Sequence, residues 1–405
     1  MKKLRILQLP YPVTVIAVGT LISRFGTSMV LPYITILLVQ IKHLPIFLTG
    51  ITIGCSYLAQ AFGASLTGKL FSQDKPLKLM KTSLIIYALL FISMGFISEW
   101  INNRWLVGGG FIICFLLAGM CRSLIEATGL TLISHLAPSQ LKGFAFSLRY
   151  TFINIGTSLG PLIAILLGIL HTNIEFYLAS TAILTYYFLL QFTVKTETFT
   201  FHTHANNLSL TFKILISDRR LLYFTLAAIL CYIGFSQQET LFAYIVYHYL
   251  ASTHVFAVMY AINGITIVAL QTPLVSYIEK FEIHYVLMMG ILLLAIGLIG
   301  IAVSTIYVLA YYLSAFIFTL GEIFTLSLLS LYIDQLALPE NRYAYFGISN
   351  FALLGRVTGP PLATLISHYV GLSHGLIVTA CITLLGVPFI FLSKKKTHSH
   401  LAPTR

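Results

Sequence analysis

Gly156-Thr157-Ser158-Leu159-Gly160-Pro161 returns later in the chain as Gly355-Arg356-Val357-Thr358-Gly359-Pro360. The same spacing relates Phe144-Ala145-Phe146 to Tyr343-Ala344-Tyr345. Earlier in each half Gln60 matches Gln271, and Pro32-Tyr33-Ile34 faces Ala243-Tyr244-Ile245. Self-similarity at long period identifies a duplicated architecture. Each Gly-x-x-x-Gly-Pro element lies in a long apolar stretch. Glycine there lets helix backbones approach closely, and proline lacks the N–H donor and kinks its helix. The two elements are therefore expected at a helix interface that packs tightly and must also slide. Two repeats of the same orientation rock against each other about a site near the midplane of a membrane.

The composition fits that reading. Of 405 residues, 58% are hydrophobic, 13% aromatic and only 9% charged, and the mean hydropathy is +0.91. A soluble domain carries about 25% charged residues. These values exclude a soluble globular enzyme, a disordered chain and a nucleic-acid reader. At roughly 30 residues per span and loop, the length holds about a dozen crossings. The expected spans are 12–39, 47–70, 81–98, 106–135, 144–170 and 175–194, then 221–247, 254–278, 284–304, 307–334, 345–369 and 373–392. The expected fold is an all-α integral membrane protein of twelve transmembrane helices in two pseudo-symmetric six-helix bundles. Residues 1–194 form the first bundle, 195–220 a polar linker, and 221–405 the second bundle with a short basic tail.

The net charge of +12 is explained by where the basic residues fall. Lys2, Lys3, Arg5, Lys69, Lys75, Lys78, Lys81, Lys142, Lys195, Lys213, Arg219, Arg220, Lys280, Arg342, Lys394 to Lys396 and Arg405 lie on one side of the expected topology. Only Lys42 and Arg104 lie on the other. Eighteen against two satisfies the positive-inside rule with both termini cytoplasmic and an even number of spans. The apolar run after Met1-Lys2-Lys3 is too long for a signal peptide and has no small-residue cleavage site. Cys55, Cys114, Cys121, Cys231 and Cys381 all fall inside spans and read as free thiols. His202-x-His204 and His398-x-His400 are solvated segments, because two imidazoles without a third ligand make a weak site. No cofactor or metal is expected, and there is no Gly-rich phosphate loop or catalytic His/Asp pair to suggest an enzyme.

Ions inside a bilayer are functional candidates by default. Arg24 lies about 12 residues, or about 18 Å, inside span 1. Arg122 and Glu126 share a face of span 4 at i and i+4, and Arg149 lies in the inner third of span 5. The favoured arrangement turns Arg122 to the cavity and pairs Glu126 with Arg149. Glu322 in span 10 and Arg356 in span 11 are expected at similar depth, as a carboxyl and guanidinium able to couple to protons. Glu239, with Gln237 and Gln238, lies in the outer third of span 7. Asp334 is expected at the interface. Tyr232, Phe235, Tyr244 and Tyr312 are aromatic candidates for a cavity wall.

These segments resemble the major facilitator superfamily, and within it the twelve-span drug/proton antiporters similar to bacterial multidrug exporters. The resemblance rests on Arg24-x-Gly26 followed by Pro32, on Arg122 in span 4, and on Asn154-Ile-Gly156-x-x-x-Gly160-Pro161 in span 5. Asn263, Gln271 and Pro273 in span 8 add to it, as do Thr319-Leu-Gly-Glu322 and Leu338-Pro339-Glu-Asn-Arg342-Tyr343 around spans 10 and 11. It covers nearly the whole chain. The chain departs from the family in loop 2–3, where Gly68-Lys-Leu70-Phe-Ser-Gln-Asp74-Lys-Pro-Leu lacks the usual Asp-Arg and second glycine, leaving Asp74, Lys75 and Lys78 as substitutes. It departs again at Ala164, which stands where the span 5 motif ends in glycine.

The resemblance implies a multi-pass, monomeric secondary transporter of the bacterial inner (plasma) membrane, with a small-molecule substrate, protons and the lipid bilayer as partners. It implies a cavity lined by spans 1, 4, 7 and 10. Arg24, Gln238, Glu239, Asn263 and Glu322 are its expected substrate contacts, and Glu322, Arg122 and Arg356 its proton-coupling set. Gly156, Gly160, Pro161, Gly355, Gly359, Pro360, Glu126, Arg149 and Asp74 are the expected structural and gating residues. The expected activity is proton-coupled export of a drug-like compound or secreted metabolite by alternating access. The alternative is import of a small organic anion held by Arg24, Arg122 and Arg356.

Overall fold

A computed structural model of the chain describes residues 8–70, 76–169, 172–194, 215–278, 281–336, 348 and 350–394. The loop position Asp74 and most of the 195–220 linker lie outside them, as do residues 338–343. The described residues are helical throughout, with no strand among them. Among the described residues eight helices are long and apolar enough to cross a membrane, and Ile46–Ala61 and Leu241–Leu250 are shorter apolar helices. Lys142–Leu166, Ile174–Thr193 and Leu354–Val370 complete the set. They are shorter or more polar, and they take their places by packing on the others.

Spans 1 and 7 are among those broken where the sequence predicts a continuous helix. Span 1 is helical over Tyr11–Ser28, then runs through a 3₁₀ turn at Leu31–Tyr33 and a π turn at Leu37–Ile41. Pro32 sits within the first two positions of that 3₁₀ turn, where its missing N–H leaves no gap in the ladder. Span 7 is helical over Arg219–Phe235, tightens to 3₁₀ at Ser236–Glu239, and resumes at Leu241–Leu250. A short 3₁₀ stretch inside a long helix marks a hinge or a sequence under strain. Here it carries Gln237, Gln238 and Glu239. The Asp218 side chain caps span 7 by accepting from the Arg220 and Leu221 amides at 2.9 and 3.4 Å, which satisfies orphan donors of the first turn. Asn103 caps span 4 (Arg104–Leu136) in the same way.

The repeated glycine elements explain how each half is held. A side chain at Gly156 or Gly160 would strike the backbone of span 1 at Leu21 and Phe25. One at Gly355 or Gly359 would strike span 7 at Ile229 and Ile233. Spans 5 and 11 therefore lie directly on spans 1 and 7. The Ser28 hydroxyl donates to the Gly156 carbonyl at 3.0 Å, and the Gln237 amide donates towards the Gly359 carbonyl at 3.4 Å. This packing sets Ser28 of span 1 opposite Ser236 of span 7 in the repeat. It differs by about one helical turn from the register expected by matching Pro32 with Ala243.

One hydrophobic cluster runs through the first half, from Leu9 to Val194. The second half has two, and the one that includes Leu241, Phe256, Leu298 and Phe318 also takes in Tyr33 and Ile36 from span 1. That shared cluster belongs to the end of the bundle that carries the loops between spans 1 and 2 and between spans 7 and 8. Other contacts close the same end. Tyr33 meets Phe256 edge-on at 5.3 Å, the Gln40 amide donates to the Tyr244 hydroxyl at 3.2 Å, and Phe47 meets His368 at 6.2 Å. Span 2 lies on span 11 with no room for a side chain at Gly50 or Gly54.

Candidate functional site

Two groups of charged side chains sit at mid-depth, one in each half, and they are built differently. In the first half Arg24 forms an ion pair with Glu126. Arg122 approaches the same carboxylate oxygen with its Nε at 3.4 Å. Arg149 does not pair with Glu126. It is 7% exposed, and its Nε has no hydrogen-bond partner among the described residues. The expected Glu126–Arg149 pair is thus replaced by Glu126–Arg24. The i, i+4 geometry places Arg122 and Glu126 on one face of span 4, and that face is turned to span 1, within reach of Arg24.

These groups surround a cavity of about 30 Å³, walled also by Thr20, Thr27, Tyr87 and Tyr186. That is room enough for a bound water or a small ion. Three hydroxyls on its wall are already used: Thr20 donates to the Ile16 carbonyl, Thr27 to Ser23, and Tyr186 to Ile16. The arginines remain as donors.

In the second half Arg356, expected at the depth of Glu322, pairs with Glu239. Its Nη2 donates to Glu239 Oε1 at 2.7 Å and to the Tyr57 hydroxyl of the first half, also at 2.7 Å. The guanidinium carbon lies 4.2 Å from the Tyr57 ring centre and 5.2 Å from that of Phe235. The planar guanidinium can hydrogen-bond in its plane and stack through its faces, so one side chain joins spans 2, 7 and 11. The 3₁₀ turn of span 7 brings Glu239 to this position. Glu322 accepts instead from the Asn263 amide at 2.7 Å, and the same amide nitrogen lies 3.1 Å from the Thr319 hydroxyl. A depth estimate along separate helices gives Glu322 and Arg356 similar heights. It cannot show that Glu239 on span 7 is nearer to Arg356.

A second, smaller cavity of about 10 Å³ lies beside this group, walled by Gln238, Phe242, Phe256, Tyr260, Asn263 and Phe318 among others. Gln238 is 7% exposed. Of the aromatic candidates, Phe235 backs Arg356 and Tyr244 holds Gln40, while Tyr312 packs on the hydrophobic cluster. Reading the sequence missed Tyr57, Tyr87, Tyr186 and Tyr260. Their only signal was a phenol in mid-span, which aromatic-rich spans repeat at many positions. It also missed Glu175, which is 3% exposed at the start of span 6.

The glycine crossings, the broken spans 1 and 7 and the buried ions between the halves define a membrane carrier. Comparison with known proteins agrees. The sequence model of the Major Facilitator Superfamily matches residues 16–354 and 224–405. The chain belongs to the major facilitator superfamily and is a secondary transporter, not an enzyme.

It is 28% identical over 393 residues to the uncharacterised MFS-type transporter YqjV of Bacillus subtilis (strain 168), covering 93% of this chain and 92% of that one. It is 25% identical over 292 residues to a Na(+), Li(+), K(+)/H(+) antiporter of Planococcus maritimus, covering 64% and 68%. Similarity to the multidrug resistance protein MdtG of Citrobacter koseri is 31% over 149 residues, covering 36% and 34%. Among solved structures, the nucleoside transporter NupG superposes with a TM-score of 0.79 at 11% identity, covering 95% of this chain and 99% of that one. That likeness carries the fold.

Proposed function

We propose that this protein is a proton-coupled exporter of a drug-like compound or secreted small metabolite, working by alternating access as a monomer. The observation that carries the reading is Glu322. It lies in mid-span and its carboxylate is held by the neutral amide of Asn263, while the neighbouring guanidinium of Arg356 is engaged by Glu239. An ionised carboxylate at that depth is costly without a cation. Proton uptake relieves the cost, so protonation is tied to how far Glu322 stands from water and from Arg356. Arg122 and Arg356 complete the proposed coupling set. Arg24, Gln238, Glu239 and Asn263 face the substrate path with Glu322. The glycine crossings at Gly156, Gly160, Pro161, Gly355, Gly359 and Pro360 are the surfaces on which the helices slide. The partial similarities to a cation/proton antiporter and to MdtG support the same reading.

The proposed orientation has both termini in the cytoplasm, from the eighteen-to-two basic asymmetry. The end closed by Tyr33, Phe256, Gln40 and Tyr244 then faces outward, and the carrier stands closed to the outside. A reporter fused after residue 200 or at the C-terminus is expected in the cytoplasm, and one near residue 172 or 252 outside. A C-terminal reporter on the outside contradicts this orientation.

Import of a small organic anion through Arg24, Arg122 and Arg356 is the second reading. It is favoured by the three guanidinium groups around one carboxylate in the first half, and disfavoured by the engagement of Arg356 with Glu239. Proton-gradient-driven flux in proteoliposomes, run against cationic, neutral and anionic compounds, separates the two. Uptake into inside-out vesicles that requires an acid interior is the expected result. Gradient-independent flux confined to anions favours the second reading.

A further inference from the structure

We propose that the pocket between Arg24, Arg122 and Arg149 is an anion subsite that takes a singly charged, carboxylate-sized group. The inference rests on the reading of the space between the halves as the substrate path, and it adds the chemical class of one substrate group. Three guanidinium groups meet there with a single carboxylate, Glu126. Arginine stays charged in proteins, so the pocket carries a surplus of two positive charges at mid-membrane depth. A buried charge without a counter-ion is strongly unfavourable. Arg24 and Arg122 share Glu126, whereas Arg149 is buried with its Nε unpartnered among the described residues and forms part of the same wall.

The side chains of Arg24 and Arg122 remain 17% and 19% exposed, and Glu126 35%, so the pocket has a route from the space between the halves. Thr20, Thr27 and Tyr186 already donate to backbone carbonyls, so the donors that face the pocket are chiefly guanidinium N–H groups, which favour a ligand rich in acceptors. A cavity of about 30 Å³ admits a halide or the oxygens of an acid group. Glu126 occupies part of this binding capacity itself, as a resident carboxylate that an incoming anion competes with.

Two sources share this chemistry: the acid group of an organic substrate and a free inorganic anion. The test uses the purified full-length protein in nanodiscs, titrated calorimetrically with sodium benzoate, sodium chloride and benzylammonium. Saturable benzoate binding is expected, with no matching site for benzylammonium. Arg149→Gln should weaken it about tenfold, equivalent to about 1.4 kcal/mol. Arg149→Lys should recover part of the loss, because charge is kept and the planar fork is not. Glu126→Gln should tighten it about tenfold, an effect that a merely structural ion pair does not produce.

Chloride and benzoate that displace one another support the subsite and assign it to a substrate acid group. Saturable chloride binding that benzoate cannot displace, with the same dependence on Arg149 and Glu126, supports the subsite and assigns it to a free anion. Anion affinity unchanged in both Arg149→Gln and Glu126→Gln overturns the proposal, as does equal binding of benzoate and benzylammonium. No proton gradient enters these measurements. Failure of the exporter reading would appear in flux and not here.

Discussion

The two halves share a scaffold and differ in charge. In the first, Arg24 and Arg122 share one carboxylate, Glu126, and Arg149 lies buried on the wall of the same cavity. In the second, two carboxylates stand near one guanidinium: Arg356 pairs with Glu239, and Glu322 accepts from Asn263 instead. Yet Gly156 and Gly160 seat span 5 on span 1 just as Gly355 and Gly359 seat span 11 on span 7. Duplication has kept the backbone crossing, which tolerates no side chain, and has let the chemistry above it diverge. A surplus of either sign is costly within a bilayer. On the proposed reading the first half is relieved by an anion and the second by a proton on a carboxylate, which would give the halves separate tasks in one cycle.

The comparison is broken most forcefully at its single link. Arg356→Ala leaves Glu239 without its cation and removes the donor to Tyr57, and it should lower stability by about 3 kcal/mol and abolish transport. The charge-balanced Glu239→Gln/Arg356→Gln variant should regain most of the stability without regaining transport. Thermal unfolding in detergent, run beside a flux assay, reads both. If the double variant is no more stable than Arg356→Ala, the loss comes from packing against Tyr57 and Phe235 rather than from an orphaned charge.

A smaller effect tests the shared scaffold. Valine at Gly160 would drive its Cβ into the Phe25 carbonyl and Ser28, and valine at Gly359 into Ile233 and Ser236. Each should cost about 2 kcal/mol, a typical overpacking penalty, and the two should cost alike. Unfolding midpoints that fall for one and not the other would show that the crossings are not equivalent. Smallest of the three is Tyr57→Phe. It removes the hydrogen bond to Arg356 at 2.7 Å but keeps the ring beneath the guanidinium, and it should cost about 1 kcal/mol while leaving substrate affinity nearly unchanged.

Much of the fold was legible because bilayer constraints are written directly in sequence. Apolar runs of spanning length, alternating basic loops and the duplicated Gly-x-x-x-Gly-Pro element needed no tertiary knowledge. The residues of the candidate site were legible one by one, since an ion in an apolar run stands out. Their partners were not. Glu126 was within reach of Arg122 on its own helix and of Arg149 by depth, but Arg24 reaches it because span 1 packs against the face of span 4 that carries it. Glu322 and Arg356 match in height, yet the 3₁₀ turn at Ser236–Glu239 carries Glu239 to Arg356 first. Depth along a helix follows from counting residues. Azimuth around it depends on packing, and a local break in the helix rotates everything beyond it.

Glu322 is the proposed carrier of the proton. Glu322→Gln fixes the neutral form and keeps an oxygen to accept from Asn263. In proteoliposomes this variant should retain substrate counterflow, because the carrier can still change conformation, and should lose gradient-driven accumulation. Uphill accumulation by Glu322→Gln at the wild-type rate would contradict the account and move the proton to Glu239.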